Sequence, residues 1–196
     1  MARRNRYARG RPLLHRQRKN QRRDRREVDL VAAARSGDRP AADRLCRSHL
    51  PAVWRAAYAV CGSRAAADDA VQDCFERVLR NLDHFDTSRP FAPWVHRIAV
   101  NCALDQVRRG PRHEQLEERH EPAVDRDSSL PEREALIEAL STLSLELRTV
   151  VVARVLLDIS PPEVARMLDI PVGTVHSRLS RGMDALRVEL EGVLDG

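Results

Sequence analysis

Ile159-Ser160-Pro161-Pro162-Glu163-Val164-Ala165-Arg166-Met167-Leu168-Asp169-Ile170-Pro171-Val172-Gly173-Thr174-Val175-His176-Ser177-Arg178-Leu179-Ser180-Arg181 decides the fold, because it reads as two short helices joined by a tight turn. Ser160 can cap the first helix, Pro161 suits a first turn in which an N–H would lack a partner, and Glu163 completes a Ser-x-x-Glu capping box. The first helix is therefore expected to begin at about Pro161. Val164, Ala165 and Leu168 share one of its faces. Asp169-Ile170-Pro171 then turns the chain, since Pro171 disrupts a continuing helix and favours a new start. On the second helix, at about 100° per residue, Val175, Leu179, Met183 and Leu186 cluster on one side and Thr174, Ser177, Arg178 and Arg181 on another. The first stripe suits packing. The second suits DNA, because small hydroxyl side chains and Arg near a helix N-terminus reach base edges and phosphates in a major groove. An amphipathic surface helix carries the same pattern, so this segment alone leaves both readings open.

The rest of the chain narrows the choice. Its 196 residues suffice for one large domain or two small ones. Aromatic residues make up only 4%, β-branched runs are scarce, and Ala, Leu, Arg and Glu dominate, which favours helices over strands. The expected fold is all-α: two small helical domains joined by a flexible linker, the second with a helix-turn-helix.

The net charge of +5 hides an asymmetry. Residues 1–26 hold twelve Arg or Lys and one Asp, or +11, which leaves −6 on the remainder. Such a block has too little apolar area to offset the entropy of folding, so residues 1–26 are expected to be a disordered Arg-rich tail able to attract phosphate. A start codon assigned too far upstream would look the same. No apolar stretch reaches membrane-spanning length and no secretory h-region appears, so no membrane insertion is expected and the chain is placed in the cytoplasm. Cys46, Cys61, Cys74 and Cys102 have no Cys-x-x-Cys spacing and sit in apolar helical contexts, which reads as small core residues in a reducing compartment. Cys46 and His49 could share a helix face as metal ligands, but two ligands do not make a site, and neither a metal nor another cofactor is expected.

Apolar periodicity predicts helices at about 28–36, 40–60, 64–82 and 91–109, a first domain over 27–110. Residues 111–131 are charged, net negative and free of sustained apolar period, and read as an acidic linker. Helices resume at about 132–143 and 145–157 and run through the two of the opening stretch, a second domain over 132–196. On the 64–82 helix, Val71, Phe75, Val78 and Leu82 face one way while Asp69, Gln72, Asp73 and Glu76 face the other. That acidic stripe is either a docking surface or a solvated face. On the 91–109 helix, Phe91, Val95, Ile98, Ala99 and Cys102 form the buried side. Arg97, Asn101 and Arg108 share another, with Trp94 at its border and Leu104 as an exception. Beside a loop carrying His84, Phe85 and Arg89, these are groups that hold single-stranded DNA: cations follow phosphates, Asn bonds a base edge, rings stack on bases. For Trp94 taken alone the core reading comes first, because a large apolar ring is more often buried than used.

Together these residues resemble a bacterial RNA polymerase sigma factor of the extracytoplasmic-function (ECF, sigma-70 family group 4) type. The resemblance runs from about Asp29 to Leu190. Its carriers are Leu30-Val31-Ala32-Ala33-Ala34-Arg35-Ser36-Gly37-Asp38, Ala67-Asp68-Asp69-Ala70-Val71-Gln72-Asp73-Cys74-Phe75, the run Pro90-Phe91-Ala92-Pro93-Trp94 through Asn101-Cys102-Ala103-Leu104-Asp105, and Ile170 to Leu179. It implies that residues 27–110 are sigma region 2, which docks on core polymerase, recognises the −10 element and melts it, and that 132–196 are region 4, which recognises the −35 element. It implies docking of Asp69, Gln72, Asp73 and Glu76 on the clamp helices of the largest subunits, with the flap as a further partner site. It implies −10 contacts at Phe85, Arg89, Trp94, Arg97, Asn101 and Arg108, and −35 contacts at Thr174, His176, Ser177, Arg178 and Arg181. Promoter DNA, core polymerase and an anti-sigma factor are the implied partners. Two departures stand out. His176 replaces a usual Lys, which removes a fixed positive charge, and Gly182 replaces a usual Ala, at about 1 kcal/mol of helix propensity if exposed.

Such a chain is not an enzyme: no nucleophile and base, phosphate loop or ligand cluster appears at usable spacing. The rival reading, an autonomous helix-turn-helix regulator of duplex DNA, accounts for residues 145–190 but not for the first domain.

Overall fold

The computed structural model describes residues 25–110 and 130–194, with the side chains of 130–135 and 192–194 left aside. Every regular element among them is helical. Helix α1 spans 25–35, α2 Arg39–Cys61, α3 Arg64–Arg80, a 3-10 turn Leu82–His84, and α4 Phe91–Arg109. In the second half, α5 spans Leu130–Thr142, α6 Leu145–Val151 with a π-helical continuation over Val152–Leu156, α7 Pro161–Leu168 and α8 Val172–Leu194.

Local chemistry sets most boundaries. Asp38 caps α2 by accepting from the Ala41 N–H at 3.0 Å, with Pro40 in the first turn. Gly62 ends it with φ +68°, a left-handed C-cap that a Cβ would strain, and its N–H closes on Tyr58 O at 2.8 Å. Ser63 and Ser144 cap α3 and α6. Helix α1 begins earlier than its apolar period indicated and takes two residues from the expected tail, because Glu27 is buried and its carboxylate lies 3.4 Å from His49 Nε2 of α2. Helix α5 likewise begins inside the expected linker, with Pro131 in its first turn, where a missing N–H costs nothing. The remainder of the tail, 1–24, and of the linker, 111–129, lies outside the described residues.

One expectation needs correction. The helix expected over 145–157 is α-helical only to Val151. Leu157 N then reaches Val152 O at 3.2 Å, the wider π-type spacing, and Ile159 N reaches Ala153 O at 3.0 Å. The two halves also pack against each other. α2, α3 and α4 pack on one another, α6 and α7 pack on α8, and α5, α6 and the π-turn all touch α2. Buried side chains from Val31 to Leu186 thus join into a single apolar cluster. Periodicity showed which faces are apolar but not that the apolar faces of the two halves would cover each other.

Candidate nucleic-acid interface

Helix α4 and the loop before it form the first candidate surface. Phe85, Phe91 and Trp94 make a ring cluster with centroids 5.0–5.4 Å apart. Phe85 and Phe91 are buried at 5% and 3% exposure, whereas Trp94 is half-buried. The Phe85 ring, expected to touch DNA, therefore lies in the core here and supports Trp94 from below. Arg35 of α1 fixes this floor: its Nε and Nη2 donate to Leu82 O at 3.0 and 2.8 Å, and Nη2 also to Phe85 O. The loop tip is held by Asp86, which accepts from Ser88 N at 2.9 Å and Ser88 Oγ at 2.6 Å and pairs with Arg89 Nε at 3.4 Å. The Ser88 hydroxyl foremost, then its N–H, keeps the Asp86 carboxyl below the usual carboxylate range.

On α4, Asn101 and Arg108 are exposed and Arg97 is half-buried, while Leu104 is buried at 6%. The exception noted in the spacing thus belongs to the core, because α2 and α3 both pack along α4 and narrow its free face. Arg97, Trp94, Arg89 and His84 open onto a cavity of about 410 Å³, large enough for an extruded base. Glu163, from the second half, also lines it.

The acidic stripe of α3 divides. Gln72 and Glu76 are exposed and joined by a 3.1 Å hydrogen bond. Asp73 is half-buried and committed to α4, accepting from Arg109 Nη1 at 3.2 Å and Gln106 Nε2 at 3.4 Å. Asp69 is half-buried.

The second surface is the helix-turn-helix. Glu163 accepts from the Ser160 N–H at 3.3 Å and from Ser160 Oγ at 2.7 Å, so α7 starts where the capping pattern placed it. Asp169 takes the left-handed conformation, φ +52°, and Ile170 N returns to Ala165 O at 3.0 Å. At the start of α8, His176, Ser177 and Arg181 are exposed and Thr174 is half-buried. Arg178 points sideways: its Nη2 donates to Glu146 Oε2 of α6 at 2.5 Å. Val175 and Leu186 are buried and Leu179 is partly buried, but Met183, expected in the packing stripe, is 39% exposed. Gly182 is buried in its place, so the propensity cost reckoned for an exposed glycine does not apply.

Sequence reasoning missed Arg35 and Glu146. Each acts through a partner distant in the chain, and only Arg35, inside the Leu30–Asp38 stretch, carried any signal. Among the described residues no group of three or more His, Cys, Asp or Glu is placed to hold a metal ion, and no helix is long and apolar enough to cross a membrane.

Among the described residues, an all-helical architecture with an aromatic-floored cleft lined by Arg89, Arg97 and His84, which Glu163 of the second half also borders, and a helix-turn-helix place the chain in the class of two-part nucleic-acid-binding proteins. Comparison with known proteins gives the family. The family models Sigma-70 region 2 and Sigma-70, region 4 match residues 45–113 and 133–186. The chain is 36% identical over 162 residues to the ECF RNA polymerase sigma factor SigM of Mycobacterium tuberculosis, covering 82% of each chain. It is 28% identical over 176 residues to SigW of Bacillus subtilis, covering 82% of this chain and 94% of that one. Among solved structures, CnrH in complex with the cytosolic domain of CnrY superposes with a TM-score of 0.62 at 29% identity, over 85% of this chain and 98% of that one. The chain belongs to the ECF RNA polymerase sigma factors, whose work is transcription initiation.

Proposed function

We propose that residues 27–110 dock on core polymerase and capture the −10 element as an opened strand, while residues 132–196 read the −35 element. The observation that carries this is the cleft at Trp94, Arg97, Arg89 and His84 beside the exposed Asn101: an aromatic wall, cations and a base-edge donor and acceptor in one place. Extruding a base costs a few kcal/mol, which stacking on Trp94, a hydrogen bond from Asn101 and phosphate contacts from Arg97 and Arg108 offset. No covalent step falls to this chain, which supplies recognition while core polymerase makes the bonds in the cytoplasm.

At the −35 element, the exposed His176, Ser177 and Arg181 face the major groove, Ser177 and Arg181 giving up hydrogen bonds to backbone carbonyls of their own helix, and Arg178 exchanges Glu146 for a phosphate or a base. Glu76 and Gln72 form the outer part of the docking face on the clamp helices, and Asp73 and Asp69 its inner part. An anti-sigma factor is the remaining partner. CnrH was solved with a second protein on it, and this chain exposes Val155, Leu156, Val172, Met183 and Val188 for such a partner.

Transcription in vitro with purified core polymerase tests the reading. Promoter-specific transcripts that appear only when the chain is added are expected. Duplex binding by the chain alone, with no promoter-specific initiation, would favour the autonomous regulator.

A further inference from the structure

Two thiols meet inside the first half. Cys74 of α3 and Cys102 of α4 are both fully buried, and their sulfurs share a hydrogen bond across the two helices. Cys74 Sγ also lies 4.0 Å from Val95 O, against the α4 backbone. The same helices are joined by Arg77 Nη2 to Asp105 Oδ2 at 2.9 Å and by Arg109 Nη1 to Asp73 Oδ2 at 3.2 Å.

Sharing a hydrogen bond sets the two thiols apart. It raises Cys74, with burial adding to the shift, and lowers Cys102 against the opposing effect of burial, the Arg77 guanidinium helping and Asp73 and Asp105 resisting. Cys46 and Cys61 behave as small packed residues do, since burial raises both. Cys102 departs from them. A thiol held towards its thiolate beside a second thiol is the arrangement in which one sulfur is oxidised and the other resolves the product.

We propose that Cys74 and Cys102 are a redox-modification site, at which a small hydroperoxide joins them into a disulfide that ties α3 to α4 and lowers transcription initiation until a dithiol reduces it. The Cys102 thiolate attacks the peroxide O–O bond, taking one oxygen as a sulfenic acid while the other leaves with the thiol proton as water. The Cys74 sulfur then attacks the Cys102 sulfur, and the expelled hydroxyl leaves with the Cys74 proton as a second water. Two electrons pass from the thiol pair to the peroxide. Hydrogen peroxide is little larger than water, so a local opening of the α3–α4 contact admits it where an alkylating reagent does not fit. Bond formation pulls the sulfurs well inside van der Waals contact. Cys74 follows Asp73 and Cys102 follows Asn101 in the chain, so the shift reaches the docking stripe and the base-edge residue together. The effect on initiation rests on those two assignments, whereas the bond does not.

The full-length chain is treated with hydrogen peroxide, freed of it, blocked with iodoacetamide in denaturant and mapped as non-reduced peptides by mass spectrometry. A parallel sample is assembled with untreated core polymerase and assayed for promoter-specific transcripts. A linked Cys74–Cys102 peptide is expected, with a several-fold fall in transcripts, and dithiothreitol should reverse both. Cys102→Ala, at unchanged helicity, should form no link at Cys74 and keep its transcripts after peroxide. Cys74 and Cys102 remaining reduced, or Cys74 linked to Cys46 instead, would overturn the site, and the wild-type map decides this whether or not C102A folds. The expected link with undiminished initiation, or an equal fall in C102A, would overturn the switch. Asn101→Ala and Asp73→Ala holoenzymes, assayed without peroxide, show separately whether those two assignments fail.

Discussion

A Cβ built on Gly182 of α8 would stand 2.6 Å from Val151 Cγ2 of α6, closer than carbon atoms approach without something moving. The glycine that looks like a lapse in a helical sequence is the point at which two helices touch. Val151 is 3% exposed and Gly182 is buried, so neither has solvent to yield into.

Gly182→Ala should therefore destabilise the second half despite alanine's better helix propensity. Overpacking costs about 1–3 kcal/mol against about 1 kcal/mol gained in propensity, and thermal melting should fall by several degrees. Gly173 provides the control, since it is exposed with no atom within 4 Å of an added Cβ, and Gly173→Ala should hold or raise the midpoint. A rise in both variants would mean that α6 and α8 are not in close contact.

The helix-turn-helix was legible because its signals are local: Ser160 and Glu163 cap, and Pro171 punctuates. The buried side of α4 was legible because Phe91, Val95, Ala99 and Cys102 repeat at helical spacing. What stayed hidden depends on partners far along the chain. Arg35 meets carbonyls 47 and 50 residues away and Arg148 one 88 residues away. A periodic stripe names a face without naming its neighbour, which is why Met183 was placed inside and the contact that Gly182 makes with Val151 could not be read. The same limit hid the pairing of Asp73 with Arg109 and of Arg178 with Glu146.

The division of the acidic stripe separates docking from stability. Glu76→Lys should weaken capture of core polymerase with little change in melting, since Glu76 is exposed and bonded only to Gln72 on its own helix. Asp73→Ala should weaken docking and also lower stability by about 1 kcal/mol, because it leaves Arg109 and Gln106 without their carboxylate. Pull-down on core together with thermal melts distinguishes the two. Undiminished core binding by E76K would remove Glu76 from the docking face.

Asn101 is exposed one turn beyond Arg97 on α4. Asn101→Ala should lose about 1–3 kcal/mol of discrimination at one −10 position while leaving the fold intact. Initiation across a promoter library measures this. An unchanged −10 preference at unchanged output would show that Asn101 reads no base.

Cys61 is half-buried, and burial above all pushes its thiol up to about 11, with Arg148 opposing and Asp69 adding to the shift. Only the thiolate is alkylated. Labelling of Cys61, followed by mass spectrometry, should therefore keep rising about ten-fold per pH unit up to pH 10, where an unperturbed thiol near 8.5 has levelled off. Cys74 and Cys102, both at 0% exposure, should label only on unfolding. A plateau for Cys61 below pH 10 would contradict its buried setting.

The Arg-rich segment 1–26 carries +11 on a chain whose remainder is −6, and we assign it sequence-independent attraction to DNA. Phosphates attract it, and promoter choice should rest with the two halves. Each neutralised phosphate contributes about −0.9 to the slope of log affinity against log salt. Deleting residues 1–26 should therefore make the holoenzyme's slope shallower by several units and weaken binding most at low salt, while mapped start sites stay where they were. If affinity and slope both survive the deletion unchanged, the segment does not engage DNA, and its charge serves another contact or none.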